Sequence, residues 1–425
     1  MTSAALTTVK QRLWAEIDRR RDELAQLCAD SLAVPAENPP GDTTAIAEHF
    51  TGVLRRAGLP VERFEPRPGT VSLVSTQPGR AERPRFVFNG HLDHFPSDDP
   101  SLWSFPPYGA GVRDGKILGR GSCDMRGGLA ASLFSYLLIH EQRLPLAGPL
   151  TIMMVADEET GGALGTGHIL ATRPELAGDA CMIGEPESPD GLRLGEKGKC
   201  QFRLIAEGAP RHSGLGTGDD VIIHLGAALQ EARKIIELPD RPPADLLPIL
   251  ETMATYVRSE YDAGRQWLYR RPSMSAGVIR GGIKVNVVPR RCEAEIDCRL
   301  PFGIAPEDIK ADVEKRLAAA GLSDVRFEYM PPLFHASYTS PEHRLVAMAR
   351  ANAAAATGKP PHLTLANSGT DARYFRPRGV PTLVFGPRPH GLAAADEYIT
   401  VDDLVAVTKV HLGTALDVLL ADDGR

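Results

Sequence analysis

The sequence predicts an α/β protein: a mixed, largely parallel sheet sandwiched by helices, with a smaller α+β segment inserted into it. Three observations predict this. Short apolar runs alternate with helical patterns in both outer portions of the chain. The middle portion changes to longer alternating strands. In the outer portions, apolar runs are followed at once by histidine, aspartate or glutamate.

Taken in order, residues 8–31 carry Val9, Leu13, Ile17, Leu24 and Leu27 at helical spacing among charges, which predicts an amphipathic helix. Asn38-Pro39-Pro40-Gly41-Asp42 breaks the chain, and a second helix spans Thr43 to Ala57 before Gly58. The predicted strands are Phe86–Phe88, Leu150–Val155, Ala180–Ile183, Leu363–Leu365 and Thr382–Phe385. Helices follow over Met125–His140, Glu342–Thr357 and Val401–Leu420. Strands separated by helices favour parallel pairing, because a helical crossover returns the chain to the same sheet end.

In the middle, Lys199–Glu207, Met274–Ile279 and Glu293–Arg299 read as strands, with helices near Asp220–Ile236 and Pro306–Ala320. Residues 1–198 and 331–425 are therefore expected to form one domain and 199–330 the insert. The proline-rich segment Leu238–Pro248 reads as a surface connection.

Composition narrows the classes of function. With 43% hydrophobic residues among 425, the chain has ample material for a packed core. Lys plus Arg number 48 against 54 Asp plus Glu, a net charge of −6 that lacks the basic footprint of a nucleic-acid binder. No apolar run approaches the ~18 residues of a membrane span, and the first ten residues lack the apolar core of a secretory signal. The six cysteines (Cys28, Cys123, Cys181, Cys200, Cys292, Cys298) stand apart with no Cys-x-x-Cys, as reduced thiols do. A cytoplasmic protein without nucleic-acid or membrane partners is expected.

The chemistry lies after the strands. Asn89-Gly90-His91-Leu92-Asp93-His94 follows the first strand, Asp157-Glu158-Glu159 the second and Gly184-Glu185-Pro186 the third. Asn367-Ser368-Gly369-Thr370-Asp371 and then Gly386 and His390 follow the last two. The carboxyl ends of strands in an open α/β sheet form its ligand crevice. Asp124 joins from the glycine-rich Gly119-Arg120-Gly121-Ser122-Cys123-Asp124-Met125. So many carboxylates at one crevice repel one another unless a cation binds. Mixed imidazole and carboxylate donors suit Zn²⁺, with Mn²⁺ or Co²⁺ as alternatives.

In this order and spacing, His91-x-Asp93, the Gly-Arg-Gly stretch ending in Asp124-Met125, Asp157-Glu158-Glu159 and Gly184-Glu185-Pro186 resemble the metallopeptidase superfamily of aminoacylase, carboxypeptidase G, acetylornithine deacetylase and succinyl-diaminopimelate desuccinylase. The resemblance runs over nearly the whole chain and implies a zinc-peptidase-like catalytic domain with a lid and dimerisation insert. It implies that His91, Asp124 and Glu185 hold one metal ion and that Asp124 bridges to a second held by Glu159. It implies too that Asp93 orients His91 and that Glu158 is the general base, taking a proton from a metal-bound water and passing it to the leaving nitrogen. A cis peptide after Asp124 is implied as well.

Arg211-His212-Ser213-Gly214 resembles the lid motif whose histidine reaches a neighbouring subunit's site, so a homodimer through the insert is implied. The segment Gly281 to Pro289 resembles one whose asparagine, here Asn286, contacts substrate. Arg299, Gly369 and Thr370 resemble positions near a substrate carboxylate.

One departure stands out. The superfamily places a last metal-binding histidine four residues before a glutamate, here Glu397, but that position is Ala393, and His390 lies three residues earlier. Recruitment of His390 and a site with one ion rather than two are both open. The resemblance accordingly supports deacylation of N-acyl amino acids or cleavage of small peptides. The alternative is hydrolytic deamination of an aromatic amine, as in the superfamily's nitroanthranilate aminohydrolase. A ligand-binding homologue without catalysis is a third reading.

Overall fold

The computed structural model of the chain describes residues 2–256 and 263–420. Its centre is a nine-stranded mixed sheet. Leu150–Val155, Phe86–His91, Ala180–Ile183 and Thr382–Val384 are neighbours in that order and run parallel. Antiparallel strands flank them: Thr70–Gln77 and Glu62–Arg67 on one side, Gly191–Glu196 and Ser337–Tyr338 on the other.

The central strands are apolar throughout because both of their faces are covered. Phe86, Phe88, Ile152, Met154 and Met182 pack in one core with the helices Arg21–Leu32, Gly127–Glu141 and Val401–Leu420. Their alternate neighbours Val87, Met153, Val155, Cys181 and Ile183 pack on the other face against Ile169, Leu170 and Phe375. The period of two along each strand thus sorts its side chains into two helical layers.

The insert carries a four-stranded antiparallel sheet in the order Ser273–Gly281, Arg291–Leu300, Gly198–Glu207, Arg326–Tyr329. Helices Val221–Ala232 and Pro306–Ala319 cover one face, burying Cys200, Phe202, Leu204, Ile296 and Cys298. The other face is polar.

Three details differ from the expected elements. The first helix is two, Ser3–Arg19 and Arg21–Leu32, broken at Arg20 where the guanidinium pairs with Glu23 and Glu141. The strand His362–Ala366 lies outside the parallel run, because its partner Gly191–Glu196 meets Thr382–Val384 antiparallel. The proline-rich stretch leads into a helix, Leu247–Met253, whose Ile249, Leu250 and Met253 join the core of the larger sheet rather than that of the insert. All six cysteines are free and buried. Among the described residues no helix is long and apolar enough to cross a membrane.

His411 in the last helix is fully buried, with Nε2 donating to the Phe385 carbonyl at 2.7 Å and Nδ1 accepting from Ser132 Oγ at 3.0 Å. Burial pushes its pKa down to about 4. The unfolded chain, with an ordinary imidazole, therefore binds the proton first, and stability is lost as pH falls from about 6.5 toward 4. Urea midpoints measured across this window should fall with pH, by at most ~1.4 kcal/mol per unit from this group, and His411→Gln should flatten the dependence.

Candidate active site

Three parallel strands end beside one another and deliver the key side chains. Phe86–His91 ends on His91, Leu150–Val155 leads to Glu158 and Glu159, and Ala180–Ile183 leads to Glu185. Asp124 reaches the same place from a turn where the Asp124–Met125 peptide is cis. The helix Gly127–Glu141 begins directly after it, so close to the Glu185 loop that a Cβ on Gly128 would stand 1.7 Å from the Gly184 carbonyl oxygen.

His91 is buried, and its Nδ1–H donates to the Asp93 main-chain carbonyl at 2.8 Å. This leaves Nε2 facing Asp124 Oδ1 at 3.0 Å and Glu185 Oε1 at 3.5 Å. The Asp93 carboxylate sits 3.7 Å from Nδ1 and does something else: it accepts from the Glu158 and Glu159 amides at 3.3 and 3.2 Å and from Asn38 Nδ2 at 2.8 Å. Asp93 thus braces the turn carrying both glutamates. Asp157, which enters that turn, is left-handed at φ 72°.

His91, Asp124 and Glu159 offer ligand atoms within 4.8 Å of one another, as do His91, Glu158 and Glu185. The residues fit a divalent cation. Glu159 Oε1 is buried without a hydrogen-bond partner, and burial with the neighbouring Asp124 charge raises both the Glu159 pKa and that of Glu185, the latter to about 7. A cation relieves this repulsion directly.

Burial also holds Glu158 well above the usual carboxylate range, opposed by Arg373, whose Nη2 forms an ion pair with Glu158 Oε1. Arg373 Nε donates to the Thr370 carbonyl. Arg373 escaped the sequence reading, although it stands two residues after Asp371 in a stretch already singled out. Asp371 is buried and accepts from Thr166 Oγ1 at 2.7 Å, with burial lifting its pKa to about 6. Thr370 donates through its amide and Oγ1 to Glu196 at 3.1 and 2.5 Å.

A cleft of about 550 Å³ opens over these groups. Asp124, Glu158, Glu159, Glu185, Gly369 and Arg299 line it, together with Lys199 and Arg373. In the sequence Lys199 marks only the start of a strand, and its alternation with Gln201 carries no chemical signal.

His212 and Asn286 lie elsewhere, His212 on the small ribbon of Arg211–His212 with Val287–Val288 and Asn286 just before its second strand. His212 is exposed, and neither residue lines the cleft of its own chain. Asn286 Oδ1 is buried without a hydrogen-bond partner. Ile283, Val285 and Leu215 beside them are 91%, 98% and 73% exposed.

His390 stacks on the Tyr398 ring at 4.4 Å and its amide meets Cys123 Sγ at 3.3 Å. It belongs to neither group of converging ligand atoms. The loop around it is anchored by Arg120, which pairs with Glu397 and donates to the Ala393 carbonyl at 3.3 Å. His94 serves packing: Nε2 accepts the Ala36 amide at 2.9 Å and Nδ1 donates to the Phe95 carbonyl at 2.8 Å.

The pattern described as peptidase family M20/M25/M40 matches residues 87–417. A succinyl-diaminopimelate desuccinylase of Rhodospirillum centenum is 26% identical, over 91% of this chain and 94% of that protein. Human carnosine dipeptidase 1 superposes with a TM-score of 0.75 at 17% identity, covering 96% of this chain and 98% of that one. An M20 family metallo-carboxypeptidase from Sulfolobus solfataricus gives 0.72 at 17% identity, covering 92% and 98%. The two structures are alike in fold.

If the converging carboxylates hold a divalent ion, chelator-treated protein should gain stability when Zn²⁺ or Mn²⁺ is added. About 2.7 kcal/mol is expected at a hundredfold excess over Kd. His91→Ala should abolish the gain in a thermal melt.

Proposed function

The chain belongs to peptidase family M20/M25/M40 and is a hydrolase of carbon–nitrogen bonds, and from that premise we propose that it deacylates N-acyl amino acids or cleaves small peptides bearing a carboxylate. The observation that carries this reading is Glu158, buried at the cleft wall between the His91–Glu185 group and Arg373. A carboxyl raised by burial is a competent proton carrier near neutral pH.

His91, Asp124 and Glu185 would hold one divalent ion, Zn²⁺ or Mn²⁺ with Co²⁺ as a further candidate, and Asp124 and Glu159 a second. The ion supplies Lewis acidity to the scissile carbonyl and to water. Glu158 takes a proton from the attacking water and returns it to the departing nitrogen. Arg373 keeps Glu158 in place and offers the rest of its guanidinium to the substrate carboxylate, beside Gly369. Thr370, expected at the substrate, is buried with its amide and hydroxyl both committed to Glu196 and supports this turn from behind. Asp93 holds the Glu158–Glu159 turn still through two amide hydrogen bonds.

His212 and Asn286 complete the site from a second copy. This part is supported by their distance from their own chain's cleft lining and by the apolar Ile283 and Val285 exposed next to them. His212 then steadies the carbonyl oxygen as charge develops on it.

A second reading, deamination of an aromatic amine with one ion, is favoured by one observation: His91 is the only histidine in the two ligand groups found among the described residues. Ammonia release from aromatic amino acids without any deacylation would establish it.

Glu158→Gln should lower kcat by roughly a thousandfold with the bound metal unchanged by elemental analysis; near-normal turnover would sink the assignment. Mixing inactive Glu158→Gln with inactive His212→Ala should restore roughly a quarter of wild-type activity, because half of randomly exchanged dimers carry one intact site. No recovery after subunit exchange would refute the shared site.

A further inference from the structure

The polar face of the insert's sheet follows a rule that fails at one place. Along most of it cations and anions interleave: Arg203 pairs with Glu295 at 2.9 Å, Arg280 with the same carboxylate at 2.8 Å, and Arg291 with Glu293 at 2.6 Å and Glu207 at 2.7 Å. At the cleft end, Lys199 and Arg299 are direct register partners on neighbouring strands. Like charges placed opposite each other on one sheet face repel.

Arg299 has a partial answer in Asp297, whose Oδ2 accepts its Nε at 2.8 Å, but Asp297 Oδ1 also accepts Gln201 Nε2 at 2.8 Å. Lys199 has none: among the described residues no carboxylate lies within ion-pair distance of its Nζ. The other two cations lining the cleft are engaged, Arg373 by Glu158 and Arg193 by Glu187 at 2.8 Å. Lys199 is half-buried, and burial with Arg299 and Arg373 nearby lowers its pKa against the smaller opposing pull of Asp297 and Glu158. Both Lys199 and Arg299 line the cleft whose other wall carries Asp124, Glu158 and Glu185. A cleft lined by anionic metal-ligand candidates and also by Lys199 without an ion-pair partner, next to the partly answered Arg299, suits an anion that reaches from the one to the other.

We propose that Lys199, with Arg299 beside it, receives a second carboxylate of the substrate remote from the scissile bond, so that the chain selects dianionic substrates over those with one acidic group. Lys199 is then the residue that sets this preference. The identity of the ligand as a substrate rests on the amide-hydrolase reading above; its binding does not.

The test is calorimetric titration of the full-length, Mn²⁺-loaded protein with glutarate and with pentanoate, which match in chain length and differ by one carboxylate. Wild type should bind glutarate at least about tenfold more tightly, the scale of one charge-assisted contact. Lys199→Met should bring glutarate down to the level of pentanoate while leaving pentanoate within about twofold of wild type, and Lys199→Arg should retain the preference. A general loosening of the fold would weaken both acids alike. Should Lys199→Met fail to fold, Lys199→Gln replaces it. Equal binding of the two acids by wild type, or a preference that survives in Lys199→Met or Lys199→Gln, would overturn the proposal. A Lys199-dependent glutarate preference in a protein that cleaves no N-acyl amino acid or small peptide would overturn the deacylase and peptidase reading and leave this one standing. Equal binding in an active amidase would do the reverse.

Discussion

Four carboxylates, from Asp124, Glu158, Glu159 and Glu185, crowd around the single buried imidazole of His91, and their mutual repulsion in a desolvated place is the constraint to which the rest of the site answers. The protein offsets part of it with its own groups. Arg373 takes Glu158. The Asp93 carboxylate, which would have added a fifth negative charge, is turned onto the amides of Glu158 and Glu159 and the side chain of Asn38. The remainder, centred on Glu159 Oε1 and on the raised Glu185, suits a divalent cation. The fit to a metal ion and the raised carboxyl of Glu158 thus have one physical origin.

Holding such a site requires stiff surroundings. The strand ends are set by a core packed on both faces of the sheet, and the Asp124 turn is pressed against the Glu185 loop through Gly128 and Gly184, whose backbones approach more closely than any side chain would permit. From the other side, the buried pair of Arg120 and Glu397 ties the turn before Asp124 to the loop near the C-terminus. Glu397 Oε1 accepts the Cys123 amide at 2.8 Å, and Arg120 stacks on Trp103 at 5.1 Å. The path of that loop follows: Ala393 lends Arg120 its carbonyl, and His390 is occupied with Tyr398.

The insert contributes a different kind of order. One face of its sheet is a hydrophobic core beneath two helices, and the other is a lattice of paired charges that breaks down where it meets the cleft. Its outer ribbon carries His212 and Asn286 away from the cleft of their own chain, among apolar side chains left in the open. The cleft-lining Lys199 and Arg299 and the ribbon bearing His212 thus belong to different parts of the insert.

Much of this was legible in the sequence. The apolar periods located the central strands to within a few residues, because a strand buried on both faces must be apolar throughout, and the acidic and histidine residues after them announced a cation site, because such charges are costly to gather for any other purpose. The order of motifs was enough to identify the relatives. Tertiary structure decided what depends on distance through space. It joined Asp93 to His91 through the main-chain carbonyl and to the Glu158–Glu159 turn through the carboxylate, brought Arg373 to Glu158 across 215 positions of sequence, and folded Leu247–Met253 back onto the larger core. It also set Lys199 opposite Arg299. Periodicity reports which face of an element is apolar, but the partner of a charge is fixed only when strands from distant parts of the chain come into register.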